Sequence, residues 1–144
     1  MTRWSIYILS ELKMAKTCLH YLLLDAFKEP SPDEQSLKDR IQKHNFAQYA
    51  ARNWGAHVKS TNAEGDQDIR KLLSKLGQSS NTLDAVSELS MVDNSSQWLQ
   101  VSWDRGKTLF HLLAENDLTI LTQELANASN ETVLCLSPLY INPS

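Results

Sequence analysis

Two aromatic-rich phrases constrain this chain more than any other feature: Ala15-Lys-Thr-Cys-Leu-His-Tyr-Leu-Leu-Leu-Asp25 and Phe46-Ala-Gln-Tyr-Ala-Ala-Arg-Asn-Trp-Gly-Ala-His57. Each places large apolar side chains at i, i+3, i+4 and i+7, the period of a helix with one buried face. A Pro-marked loop and a polar helix separate them, so the two stripes must cover each other or a third partner. Neither phrase is arranged like a reaction centre.

Around these phrases the chain reads as a series of helices. Residues 1–9 alternate weakly through Ile6 and Ile8 and fit an extended segment. Ser10 can then cap a helix running to about Phe27, with Leu12, Ala15, Leu19, Leu22 and Ala26 in one row and Met14, Cys18 and Tyr21 in the next. The prolines of Lys28-Glu-Pro-Ser-Pro32 end it. Ser31, Pro32 and Glu34 have the spacing of a capping box that opens a second helix, carrying Leu37 and Ile41 and ending near His44. Asn45 can cap a third, with Phe46, Tyr49, Ala50, Trp54 and Val58 inward. Gly55 inside it costs about 1 kcal/mol relative to alanine, which marks a close backbone approach or early fraying.

The polar stretch 61–68 reads as a linker. Beyond it, Ile69–Leu76 and Leu83–Met91 read as short helices, the first ended by Gly77 and the two joined by a Ser79-Ser-Asn-Thr loop. Trp98, Leu99, Val101 and Trp103 fit a helix end and a strand equally well. Two antiparallel helices are expected at about 108–116 and 118–127. The apolar tail from Thr132 to Tyr140 has no firm assignment. The expected fold class is all-α, a helical bundle followed by an antiparallel helix pair. Its divisions are 1–60 (bundle), 61–68 (linker), 69–104 (bridging helices) and 105–144 (the helix pair and the apolar tail).

Composition excludes several classes. The 144 residues carry a net charge of −3 with scattered basic side chains, whereas nucleic acid needs a concentrated basic face. The densest basic group, Lys38, Arg40 and Lys43, is interleaved with Asp33, Glu34 and Asp39 and reads as a solvated face. No apolar run approaches the roughly 20 residues of a membrane span, and the N-terminal run is too short and too aromatic for a signal peptide. A cytoplasmic location is expected, in which the Asn94, Asn127 and Asn130 glycosylation patterns have no role. Cys18 and Cys135 make neither a disulfide framework nor a metal site. His20, His44, His57 and His111 share no helical face in ligand spacing, so no metal or cofactor is expected. Cys18 sits in an apolar row and reads as an inert core thiol. Asp25, His20 and Ser31 lack the strained turn that a hydrolase triad requires.

The two opening phrases resemble the segment after the NTPase module of fungal NACHT–ankyrin proteins. Ala15, Cys18, Leu19, Tyr21 and Leu22 match its first helix, and Tyr49, Ala50, Ala51, Arg52, Trp54 and His57 match its Y-A-A-R-x-W-x-x-H phrase. Glu11 stands where that family usually has histidine, and Met14 where it has valine or leucine. Further on, Gly106-Lys-Thr-Leu-Phe-His-Leu-Leu-Ala114 is similar to the ankyrin signature G-x-T-P-L-H-x-A-A. Leu109 replaces its proline, Leu113 its first alanine, and Asp117 falls near its usual glycine. Ser137-Pro-Leu-Tyr140 resembles the opening of a next repeat. The resemblance implies that Thr108 and His111 hold the repeat's turn, that Ala114 belongs to its helix, and that the chain is a truncated or degenerate relative. An isolated repeat cannot bury its own face and needs a cap or partner.

The functional expectation is therefore non-catalytic: a protein–protein interaction or structural coupling segment, with unidentified protein partners and with self-association allowed. Neither nucleic acid nor membrane is an expected partner. Trp98 and Trp103 serve core or partner equally by their spacing and are carried as candidate interaction residues. The rival is a nucleotide-binding or hydrolytic domain using Gly106, Lys107 and Thr108. A phosphate loop requires an earlier glycine, and Val101 occupies that position.

Overall fold

The computed structural model describes residues 2–92 and 106–131, with the side chains of 129–131 left aside. Within them the chain is all-α, with seven helices, two short 3-10 turns and no strand. The helices are α1 (Arg3–Leu22), α2 (Glu34–Lys43), α3 (Ala47–Ser60), α4 (Gln67–Gly77), α5 (Ser80–Met91), α6 (Leu109–Glu115) and α7 (Thr119–Glu131). Trp98, Trp103, Cys135 and the Ser137–Tyr140 phrase lie outside the described residues.

The two aromatic phrases do pack on each other. Helix α1 buries Ala15, Cys18, Leu19 and Leu22 against α3, which buries Ala47, Ala50, Ala51, Trp54 and Val58. The small residues of α3 let the axes approach, and Trp54 fills the space they leave. Helix α3 also packs on α5, and α4 on α1, α5 and α6. The hairpin of α6 and α7 closes the other side with Leu109, Leu112, Leu113, Leu118, Leu121 and Leu125, all in the same apolar cluster as Trp54 and Leu19.

Several helix ends differ from expectation. Helix α1 starts at Arg3, capped by the Thr2 hydroxyl on the Ser5 N–H, so residues 3–9 are helical rather than extended. Adding turns to a helix that is already nucleated is favourable, whereas an extended segment would need a second strand for its backbone. Helix α1 also stops at Leu22 instead of Phe27. A 3-10 turn, Asp25–Phe27, then swings Phe27 into the core between Tyr21 and His44, and leaves Ala26 exposed. The larger ring gains more by burial than the methyl would.

Helix α2 is capped by Asp33, whose Oδ1 accepts from the Ser36 N–H at 2.8 Å, and not by Ser31. That charge-assisted bond holds the Asp33 carboxyl below its ordinary range. Ser31 is buried, with its N–H on the Glu88 carboxylate at 2.7 Å, while Glu34 pairs forward with Lys38. Helix α3 has no side-chain cap from Asn45; the Ala47 N–H bonds to the His44 carbonyl instead. Asp66 and Ser79 cap α4 and α5, so both helices begin earlier than their apolar rows suggest, α5 absorbing most of the expected Ser-Ser-Asn-Thr loop. Tyr49, expected inward, is 41% exposed at the rim of the bundle.

Residues 61–68 are tied down. Ala63 of the 3-10 turn Ala63–Gly65 is buried, the Glu64 carbonyl accepts from Arg70, and Glu64 Oε2 accepts the Leu121 N–H at 3.0 Å. Glu64 thus supplies the first turn of α7 with a cap from 57 residues away.

Candidate interaction surfaces

The chemistry-bearing residues gather in two places. At the first, Glu11 of α1 meets the last turn of α3. Its Oε2 lies 2.7 Å from His57 Nδ1 and accepts from the Ser60 hydroxyl at 3.0 Å, while His57 Nε2 lies 2.8 Å from the Tyr49 hydroxyl. The His57 hydrogen bond holds the Glu11 carboxyl below its ordinary value, with burial opposing it and Ser60 assisting. Carboxylate, imidazole and hydroxyl thus form a continuous chain, and none of the three lines the hollows beside α6. The array fastens α1 to α3 across 46 residues of sequence. In the sequence Glu11 stands out only as a departure from a motif, and His57 is expected to bond locally. A pairing this distant along the chain has no periodic signal.

Arg52 and Trp54 of the same phrase do not join this array. The Arg52 Nε donates to the Ser90 carbonyl at the end of α5, beside Gln48, which donates to the Val92 carbonyl. Trp54 is fully buried. Tyr21 is half-buried, with its ring edge-on to Phe46. Cys18 is inaccessible, and burial pushes its thiol up to about 11, which suppresses thiolate at neutral pH.

At the second place, Thr108 and His111 close the start of α6. The Thr108 hydroxyl accepts the His111 N–H at 3.4 Å, and His111 Nδ1 accepts the Thr108 N–H at 3.0 Å. His111 therefore takes the part that glutamate has in a capping box. The α6–α7 turn places Asp117 at φ 56, a left-handed geometry that aspartate adopts more readily than most residues. The Asp117 carboxylate pairs with Lys59, which holds it below its ordinary range.

In Gly106-Lys107-Thr108 the Gly106 N–H, the Lys107 ammonium and the Thr108 hydroxyl are each engaged within the chain. The Gly106 N–H, turned by a φ of 91°, donates to the buried Asp84 carboxylate at 3.0 Å. Lys107 Nζ pairs with Glu115 at 2.6 Å, and the Thr108 hydroxyl faces His111. Among the described residues no cluster of histidine, cysteine and carboxylate side chains could hold a metal, and no helix is long and apolar enough to cross a membrane.

Two hollows border the hairpin. A groove of about 620 Å³ runs between Gly77, Ser80 and Leu83 on one bank and Lys107, Leu109 and Phe110 on the other, with Leu125 and Ala126 at its floor. A second, of about 310 Å³, lies across Phe110 between α6 and α7, with the exposed Ala114 on its wall. Phe110, 41% exposed, is the ridge between them. With the fold and these surfaces described, comparison adds no relative: no protein-family model, no curated protein and no solved structure matches the chain.

Proposed function

We propose that the chain is a non-catalytic helical coupling module, whose α6–α7 hairpin receives a further protein element on its outer, grooved face. The supporting observation is Phe110, a half-exposed aromatic ridge with an apolar-floored groove on either side. Buried aromatic anchors carry a large share of the energy in protein interfaces. A hairpin of this kind is one stacking unit, and its outer side is the natural seat for the next. The resemblance of residues 11–58 and 106–114 to the NACHT–ankyrin junction favours the same reading. In it the Thr108–His111 turn is the repeat's turn, and Glu11–His57 fixes the bundle beneath it.

Affinity capture with the intact chain, run beside Phe110→Asp, tests this. A partner should be retained by the wild type and lost from the variant, and neither wild type nor Lys107→Ala should bind ATP. Nucleotide binding that depends on Lys107, with enzyme-like hydrolysis and no captured partner, would establish the rival reading.

A further inference from the structure

The hydrogen-bonded chain from Glu11 through His57 to Tyr49 has a direction. Glu11 Oε2 lies 2.7 Å from His57 Nδ1 and also accepts from the Ser60 hydroxyl, and its carboxyl is held ionised at neutral pH. A carboxylate can only accept, so Nδ1 is the protonated nitrogen of the ring. The neutral imidazole then keeps its lone pair on Nε2, and the Tyr49 hydroxyl, 2.8 Å away, donates to it. The phenol is the open end of this chain: Tyr49 is 41% exposed, whereas the His57 and Glu11 side chains are 13% and 24% exposed. Its ring is stacked on Phe46 with centroids 5.4 Å apart and tilted against His57 at 5.9 Å, which restricts its rotation. A hydroxyl directed at a base, with that base oriented by a third group, is the arrangement that activates a weak nucleophile.

We infer that Tyr49 is a surface modification site, an acceptor of acyl groups from activated donors such as mixed anhydrides and acyl imidazoles, with His57 as its base and Glu11 as the positioning residue. The Tyr49 oxygen attacks the carbonyl carbon of the donor. A C–O bond forms there, the bond from that carbon to the leaving group breaks, and the leaving group departs with the electron pair. The phenolic proton passes to His57 Nε2 and from it to the departing group, so the products are an aryl ester on Tyr49 and a protonated leaving group, with nothing oxidised or reduced. Glu11 fixes the ring through Nδ1–H and offsets the positive charge that the imidazole carries while it holds the proton. The Phe46 ring beside the phenol gives the acyl chain an apolar flank. The site is built from α1 and α3 and is independent of the α6–α7 reading, since Phe110→Asp leaves it untouched.

Tyr7 provides the internal standard. It is 45% exposed, about as open as Tyr49, and its ring stacks on Trp4 rather than meeting an imidazole. The full chain is treated with N-acetylimidazole, and peptide mass spectrometry follows acetylation of both tyrosines over time. Hydroxylamine then removes the aryl esters and separates them from acetylated lysines. Tyr49 should be acetylated roughly tenfold or more faster than Tyr7, the lower edge of what a positioned base supplies. This comparison needs no variant. His57→Gln should bring Tyr49 down to the Tyr7 rate, and Glu11→Gln should lower it by a smaller factor. Tyr7 should be unchanged in both, with circular dichroism confirming that each variant is folded. A Tyr49 no faster than Tyr7 in the wild type overturns the inference, and so does a fast Tyr49 that keeps its rate in either variant.

Discussion

Around Trp54 the chain is joined by hydrocarbon: Leu19, Leu22, Ala50, Val58 and the indole itself close on one another. The α6–α7 hairpin joins differently. Its seven-residue first helix buries only Leu109, Leu112 and Leu113, and its position is fixed by directional polar ties. Glu64 caps α7, Arg70 grips Glu124 at 2.8 and 3.1 Å, Asp84 holds the Gly106 N–H, and Lys59 meets Asp117. Apolar packing fixes how strongly two surfaces adhere but tolerates sliding, whereas a hydrogen bond tolerates little displacement. A hairpin whose first helix has only seven residues therefore takes its register from polar ties as well as from the leucines it adds to the common cluster, and a long helix pair takes its stability from its core.

Three substitutions probe this contrast, in falling order of effect. Trp54→Ala removes the largest fully buried side chain and should cost about 3–5 kcal/mol, unfolding the whole molecule in one transition on thermal or urea melting. Two separate transitions would show that the hairpin stands on its own. Gly55→Ala acts on the seam between the regions. A methyl there would lie 2.2–2.5 Å from the Asn116 side chain, so the end of α6 must shift, at about 1–3 kcal/mol. Hydrogen exchange should then rise across α6 and α7 while α1 and α3 stay protected, and adding Asn116→Gly should restore much of the loss. The smallest effect is expected from Glu11→Gln. The folded-state carboxyl titrates below its ordinary 4.5, so its contribution is present at neutral pH and is lost as pH falls through that lowered value. Glu11→Gln should lower Tm by about 2 °C at pH 7, and the gap between the two proteins should close in acid.

The parts of the fold that were legible in the sequence are those where the signal is periodic. Ala15, Leu19 and Leu22 recur at helical spacing, as do Ala50, Trp54 and Val58, and burial of those rows determines the α1–α3 pairing. Gly55 pointed to a close approach or to early fraying, and the approach is what it marks, with Asn116 as the neighbour that no local signal named. Helix ends were less legible because several good capping residues compete locally: Asp33 prevails over Ser31, and Thr2 displaces Ser10, each by completing a bond that the other cannot. The polar ties were invisible for another reason. Glu64 to Leu121 and Arg70 to Glu124 join positions more than fifty residues apart, and a charge carries no mark in the sequence of which distant group it will meet. Among the candidate surfaces, the Thr108–His111 turn was legible because it is local. Phe110 emerged as an exposed ridge only once the neighbouring surfaces were placed.

The short polar run from Thr61 to Asp68 has the composition of an ideal place to cut a gene in two, hang a fluorescent protein or engineer a protease site. Its Glu64 carboxylate, however, terminates a helix in the opposite half of the chain, and its backbone carbonyl steadies Arg70. A gene split there would separate α7 from the group that seats its first turn. A tag or permutation junction belongs instead in the exposed bend at Lys28 and Glu29, where the ion pair of Lys28 with Asp25 is local and does not join the two halves.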